Sequence, residues 1–191
     1  MTDHELDALA RRVGEALANR RLWLATAESC TGGWIAEAVT AIAGSSGWFD
    51  RGFVTYSNDA KADMLGVRAA TLEKHGAVSE ATVGEMAAGA LDHSRADLAV
   101  AVSGVAGPGG GSPAKPVGTV CLAWARRDGP TGVVTVHLDG DRAAVRRQTV
   151  ILALQGILER CVGGAQGARG REIRTTTLAT SPDAAPRRKS P

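Results

Sequence analysis

The stretch Leu98-Ala99-Val100-Ala101-Val102 is apolar at every position over the length of one strand. A strand with one wet face would alternate with polar residues; this pattern predicts a strand buried on both faces of a sheet. It runs directly into Ser103-Gly104-Val105-Ala106-Gly107-Pro108-Gly109-Gly110-Gly111-Ser112-Pro113, where five glycines and two prolines preclude regular structure. Loops at the carboxyl ends of strands in α/β sheets are where ligands bind, so a ligand role is expected for this loop. The plainer alternative is a flexible surface connection. It is neither a dinucleotide fingerprint nor a P-loop, because no G-x-G-x-x-G is present and no Gly-Lys-Ser/Thr follows.

A second strand-to-loop junction lies earlier. Leu22-Trp23-Leu24-Ala25 reads as a short buried strand and Trp34 to Val39 as the body of a helix. Ala27-Glu28-Ser29-Cys30-Thr31-Gly32-Gly33 therefore sits on the turn between them. Such a turn aims free backbone N–H groups at a ligand and carries the positive end of the helix dipole. Ser29 there can be a nucleophile, and the glycines allow close approach to the backbone. Alternatively, Ser29 or Thr31 simply caps the helix.

The remaining elements follow from periodicity. Thr2 to about Asn19 reads as an amphipathic helix with a capping-box spacing at Thr2 and Glu5. Gly44 to Gly47 reads as a loop and Gly52 to Tyr56 as a second strand. Asn58 or Asp59 would cap a short helix that carries Lys61 in its first turn, where the dipole disfavours a cation. If Lys61 is also buried its pKa falls and it becomes a candidate base; otherwise it is an ordinary solvated lysine. Ser79 caps a clearer helix to about His93, and Val117–Ala125 with Gly132–Leu138 form an antiparallel hairpin. The last helix starts around Asp139 to Arg142. Arg142 and Arg146 lie four apart near its start, as a phosphate clamp or as a solvated basic face pairing with Asp139 or Asp141.

Composition narrows the classes. Cys30, Cys121 and Cys161 are odd in number and widely spaced, and the four histidines are scattered, which argues against a disulfide framework or a metal centre. Residues 163–191 hold six Arg or Lys against Glu172 and Asp183, whereas the whole chain is only +2, leaving about −2 on residues 1–162. A nucleic-acid surface is not expected on a mildly acidic body. The chain has no run of 18 uncharged apolar residues and no signal-peptide h-region, so a soluble, cytoplasmic chain without membrane partners is expected. The expected organisation is one domain over residues 1–162 and a basic, disordered tail over 163–191. A serine on a turn, a lysine of lowered pKa, glycine-rich N–H donors and two arginines together suggest amide or ester hydrolysis by a Ser/Lys pair.

Ala27 to Gly33, Tyr56-Ser57-Asn58 with Lys61, Ser103 to Pro108, Lys115-Pro116-Val117-Gly118-Thr119-Val120 and Gly140-Asp141-Arg142 occur in this order. Together they resemble the CinA C-terminal domain family, and in particular its stand-alone bacterial nicotinamide-nucleotide amidohydrolases (NMN deamidases). The resemblance covers roughly residues 1–162. It implies a three-layer α/β/α sandwich with a mixed, mostly parallel sheet. It implies hydrolysis of nicotinamide mononucleotide to nicotinate mononucleotide and ammonia, in pyridine-nucleotide salvage, without metal or cofactor. On matching positions, Ser29 would be the nucleophile, Lys61 its base and Tyr56 a neighbour orienting the dyad or the carboxamide. Thr31, Gly32 and Gly33, with Ser103, Gly104, Ala106 and Gly107, would line the nucleotide site. Arg142 would reach the phosphate, with Arg146 as a second candidate. Longer members carry a preceding molybdopterin-binding-like domain that nothing in these 191 residues matches, so its pyrophosphatase function is not carried over. Two rival readings remain: a Cys30 hydrolase, which lacks a histidine base in any motif, and a non-catalytic nucleotide-binding module. A symmetric homodimer is open, being common for small domains.

Overall fold

The computed structural model describes residues 3–162; the expected Thr2 cap and the basic tail lie outside the described residues. The elements are α1 (Asp3–Arg20), β1 (Leu24–Glu28), α2 (Trp34–Thr40), β2 (Phe49–Val54), α3 (Asn58–Leu65), α4 (Ala69–His75), α5 (Glu80–Asp92), β3 (Leu98–Gly104), β4 (Thr119–Arg126), β5 (Gly132–His137) and α6 (Arg142–Val162). A single 3-10 turn, Ser45–Gly47, leads into β2.

The five strands form one sheet in the order β2-β1-β3-β4-β5. β1 pairs in parallel with β2 and β3, whereas β4 is antiparallel to both β3 and β5. Four strands therefore point one way and β4 the other, the mixed sheet that the resemblance implied. The parallel half puts the carboxyl ends of β1, β2 and β3 side by side, and the site is built there.

Each face of the sheet has its own core. Leu24, Leu98, Val100, Val102, Leu122 and Trp124 pack against α1, α2 and α6. Ala25, Ala27, Ala99, Ala101, Ala123 and Ala125 meet α5 on the other face, with Leu65 of α3. The apolar run of β3 thus resolves into large residues on one side and alanines on the other. The alanine row lets α5 lie close to the sheet, and Gly89 does the same between helices. A Cβ built on Gly89 would stand 1.9 Å from the Leu65 carbonyl oxygen, so α3 and α5 touch backbone to backbone.

Three elements differ from expectation; the second strand, β2, runs from Phe49 to Val54 rather than from Gly52 to Tyr56. β1 begins at Leu24, not Leu22, and continues through Thr26 to Glu28, with every residue buried. Its polar and small residues masked a central strand, because their fit depends on helices packed above and below rather than on local propensity. α4 was not anticipated; its Arg68 N-cap makes no side-chain cap hydrogen bond, so the usual start signal is missing.

Candidate active site

The turn after β1 is organised by a carboxylate. Glu28 is 1% exposed, and its side chain accepts hydrogen bonds from the N–H groups of Gly33 (3.1 Å), Ile35 (2.9 Å) and Ala36 (2.8 Å) and from the Thr31 hydroxyl (2.7 Å). The first-turn donors of α2 are thereby used by the protein itself. Neither Ser29 nor Thr31 caps α2. Gly33 occupies the N-cap in a left-handed conformation (φ 97°), and Glu28 supplies the acceptor from below. The free anion cradle expected at this turn is therefore already filled by an internal anion.

Ser29 is left to project from the end of β1. Its N–H donates to the Val102 carbonyl, continuing the β1–β3 pairing by one residue. On β1 and β3 the alanines 25, 27, 99 and 101 face α5, so by alternation Ser29 and Ser103 continue those two rows on the same face. α3 brings Lys61 to that face. Its N-cap is Ser57, whose hydroxyl accepts from the Ala60 N–H, and not Asn58 or Asp59 as the sequence suggested. Ser57 sits one residue earlier, with extended backbone and a side chain of the right length, and so takes the cap.

Lys61 is 1% exposed. Its Nζ lies 3.2 Å from Ser29 Oγ and donates to the carbonyls of Thr55 (2.9 Å), Ser57 (3.3 Å) and Tyr56 (3.4 Å). Burial pushes the Lys61 pKa below the ordinary lysine value. In its neutral form the amine has two N–H bonds to share among these carbonyls and a lone pair for the Ser29 hydroxyl proton, the geometry of a base beside a nucleophile.

A pocket opens on this pair, lined by Ser29, Cys30, Tyr56, Lys61, Ser103, Gly104, Ala106 and Arg142, and also by Ala77 and Val78 ahead of α5. Arg142, exposed at the start of α6, donates to the Gly107 carbonyl (2.8 Å) and to the Tyr56 hydroxyl (3.2 Å). It thus ties three chain segments together at the rim and presents a guanidinium to the opening. Arg146 is placed differently. It donates to the carbonyls of Cys30 (3.2 Å) and Thr31 (2.7 Å), with its guanidinium 5.4 Å from the Trp34 ring centroid. Asp141 accepts from the Ala144 N–H and caps α6. The two arginines that the clamp alternative would bring together are divided between the rim and the underside of the turn. Thr31, Gly32, Gly33, Gly107 and Arg146 are not among the residues lining the pocket; Thr31 serves Glu28, and Gly107 serves Arg142.

Cys30 lines the same pocket, but its thiol is pushed up to about 12, first of all by burial. At that value it stays protonated at neutral pH and is a poor nucleophile, which weighs against the Cys30 alternative. Among the described residues no group of three or more His, Cys, Asp or Glu side chains could hold a metal ion, and no helix is long and apolar enough to cross a membrane. Sequence reasoning gave no role to Glu28, Ala77 or Val78. Only Glu28 carried a signal: the one charged residue on its strand, just ahead of a helix start.

The family model described as the CinA C-terminal domain matches residues 6–161. The nicotinamide-nucleotide amidohydrolase PncC of Escherichia coli (strain K12) is 59% identical over 155 residues, covering 81% of this chain and 94% of that protein. A protein of the same name from Pseudomonas putida is 56% identical over 155 residues, 81% of this chain and 96% of its own length. Among solved structures, the competence/damage inducible protein CihA from Agrobacterium tumefaciens superposes with a TM-score of 0.79 at 52% identity, covering 83% of this chain and 95% of that one. Agreement over this length, in sequence and in fold alike, means that the chain belongs to the CinA C-terminal domain family.

Proposed function

We propose that this chain hydrolyses the carboxamide of nicotinamide mononucleotide, giving nicotinate mononucleotide and ammonia, through Ser29 and Lys61. The observation that carries the chemistry is the buried contact of 3.2 Å between Lys61 Nζ and Ser29 Oγ. The substrate is drawn from relatives named for that activity, identical at more than half of the aligned positions along nearly their full length.

In the first step Ser29 Oγ bonds to the carboxamide carbon, its proton passes to the Lys61 amine, and the carbonyl π pair moves onto oxygen. When the tetrahedral adduct collapses, the C–N bond breaks and the Lys61 ammonium returns its proton to the departing nitrogen, which leaves as ammonia. Water then adds to the acyl-serine with Lys61 again taking the proton. As the C–O bond to Ser29 breaks, the Lys61 ammonium passes that proton to Ser29 Oγ, which releases the acid and restores both the hydroxyl and the amine. Arg142, exposed at the rim beside Tyr56, offers a guanidinium to the nucleotide phosphate.

The test is ammonia release from nicotinamide mononucleotide by the purified chain beside Ser29→Ala and Lys61→Ala. The wild type should turn over, and each variant should lose on the order of 10³-fold or more in kcat, as expected for members of one catalytic unit. An inactive wild type would overturn the substrate assignment. An active Ser29→Ala would overturn the nucleophile.

A further inference from the structure

Hydrolysis at Ser29 needs donors for the oxygen that turns negative, and part of the turn after β1 is already engaged. The N–H of Ser29 is used by Val102, that of Gly32 by the Ser29 carbonyl, and that of Gly33 by Glu28. In the glycine-rich loop, Val105 N–H donates to the Thr119 carbonyl. Several backbone donors are thus committed to the fold, whereas the N–H groups of Cys30 in the turn and Ala106 in the loop, both residues lining the pocket, have no backbone acceptor among the described residues and leave room for a side-chain donor to act beside them.

A side-chain hydroxyl that lines the pocket is also not committed. Ser103 is 1% exposed, lines the pocket, and its hydroxyl has no hydrogen-bond partner among the described residues. Buried hydroxyls are ordinarily paired, so one left open toward a pocket is available to what the pocket takes up. Its position is set by the sheet. Glu28 pairs with Val102 in the parallel β1–β3 ladder, so Ser29 and Ser103 are the next two residues, one strand spacing apart and on the same face. Lys61 Nζ lies against Ser29 Oγ and not against Ser103. The second hydroxyl is therefore not the nucleophile's equal; it stands beside the nucleophile with its proton still in place.

We infer that Ser103 is a further catalytic residue, whose hydroxyl donates a hydrogen bond to the carbonyl oxygen of the scissile amide as negative charge builds there. The inference rests on the amidase reading above. When Ser29 Oγ closes on the carbonyl carbon, the π pair moves to an oxygen within reach of the adjacent strand end, and the Ser103 O–H meets it without any proton transfer. Side-chain hydroxyls serve in oxyanion holes alongside backbone N–H groups, and losing one donor costs about 10²–10³-fold in kcat.

The experiment compares the wild type with Ser103→Ala and Ser103→Thr, following ammonia from nicotinamide mononucleotide over a range of concentrations, with thermal unfolding of each protein. Ser103→Ala should fold with an unchanged Tm and lose about 10²–10³-fold in kcat with little change in KM, the mark of a contact made in the transition state. Ser103→Thr, which keeps the hydroxyl, should recover most of that loss. A Ser103→Ala enzyme with wild-type kcat would overturn the inference while leaving the amidase reading intact. So would a rise in KM alone, since that signals equal binding of ground and transition states. If the wild type itself releases no ammonia, the amidase reading fails and this inference falls with it.

Discussion

At the scale of the residue, Lys61 is the group in which stability and function oppose each other. A buried amine with a depressed pKa is costly to fold while the unfolded chain keeps it protonated, that is, at every pH below the ordinary lysine value of about 10.4. The cost is full below the folded-state pKa and disappears as pH rises toward the unfolded one. Lys61→Met, of similar length and apolar, should therefore abolish activity yet raise the Tm at neutral pH by roughly 2–4 °C, about 1 kcal/mol. That gain should vanish near pH 10.4. Thermal scans from pH 6 to 10 measure it, and a lower Tm at pH 7 would show that the carbonyls of Thr55 and Ser57 more than offset the burial. In the active enzyme the same titration predicts kcat/KM rising with pH along one limb, centred below the ordinary lysine value.

At the scale of the element, the close approach of α3 to α5 fixes where that amine stands. On helix propensity alone Gly89→Ala should stabilise α5 by up to about 1 kcal/mol. The clash of its Cβ with the Leu65 carbonyl is with backbone, which cannot rotate away, and overpacking of this kind costs roughly 1–3 kcal/mol. The clash should win, lowering the Tm and, because Leu65 closes the helix that carries Lys61, lowering kcat as well. Calorimetry with the ammonia assay checks both, and an unchanged Tm would mean that α3 can slide. The contact also marks the limit of what the sequence discloses. The apolar run of β3, the hairpin of β4 and β5 and the start of α5 at Ser79 are local patterns, and they were legible. The placement of Ser29 and Ser103 at strand ends was legible in the same way. The full extent of β1, the existence of α4, the work of Glu28 and the parting of Arg142 from Arg146 depend on residues distant in the chain. The Arg146 bonds to Cys30 and Thr31, for instance, span more than a hundred residues. No local period records such partners. That Ser29 and Lys61 meet also came from resemblance rather than from spacing.

At the scale of the whole molecule, the described body carries slightly more acid than base, so a nucleotide anion gains nothing from the overall field and depends on positive charge at the pocket rim. Arg142→Gln should accordingly raise KM for nicotinamide mononucleotide about 10-fold or more with a smaller effect on kcat, and the riboside without phosphate should not register the change. Equal losses on both substrates would place the role of Arg142 in holding Tyr56 and Gly107 together instead. The rim and Ser29 also come from opposite ends of the described residues: Ser29 follows the first strand, and Arg142 opens the last described helix. The ribosome therefore releases Ser29 and Lys61 before the arginine at the rim. A nascent chain whose α6 is still in the exit tunnel has Ser29 and Lys61 outside but no Arg142 to complete the rim and no Arg146 beneath the turn. The pocket rim is thus closed only when synthesis of the domain is all but finished, an order set by the reading frame itself.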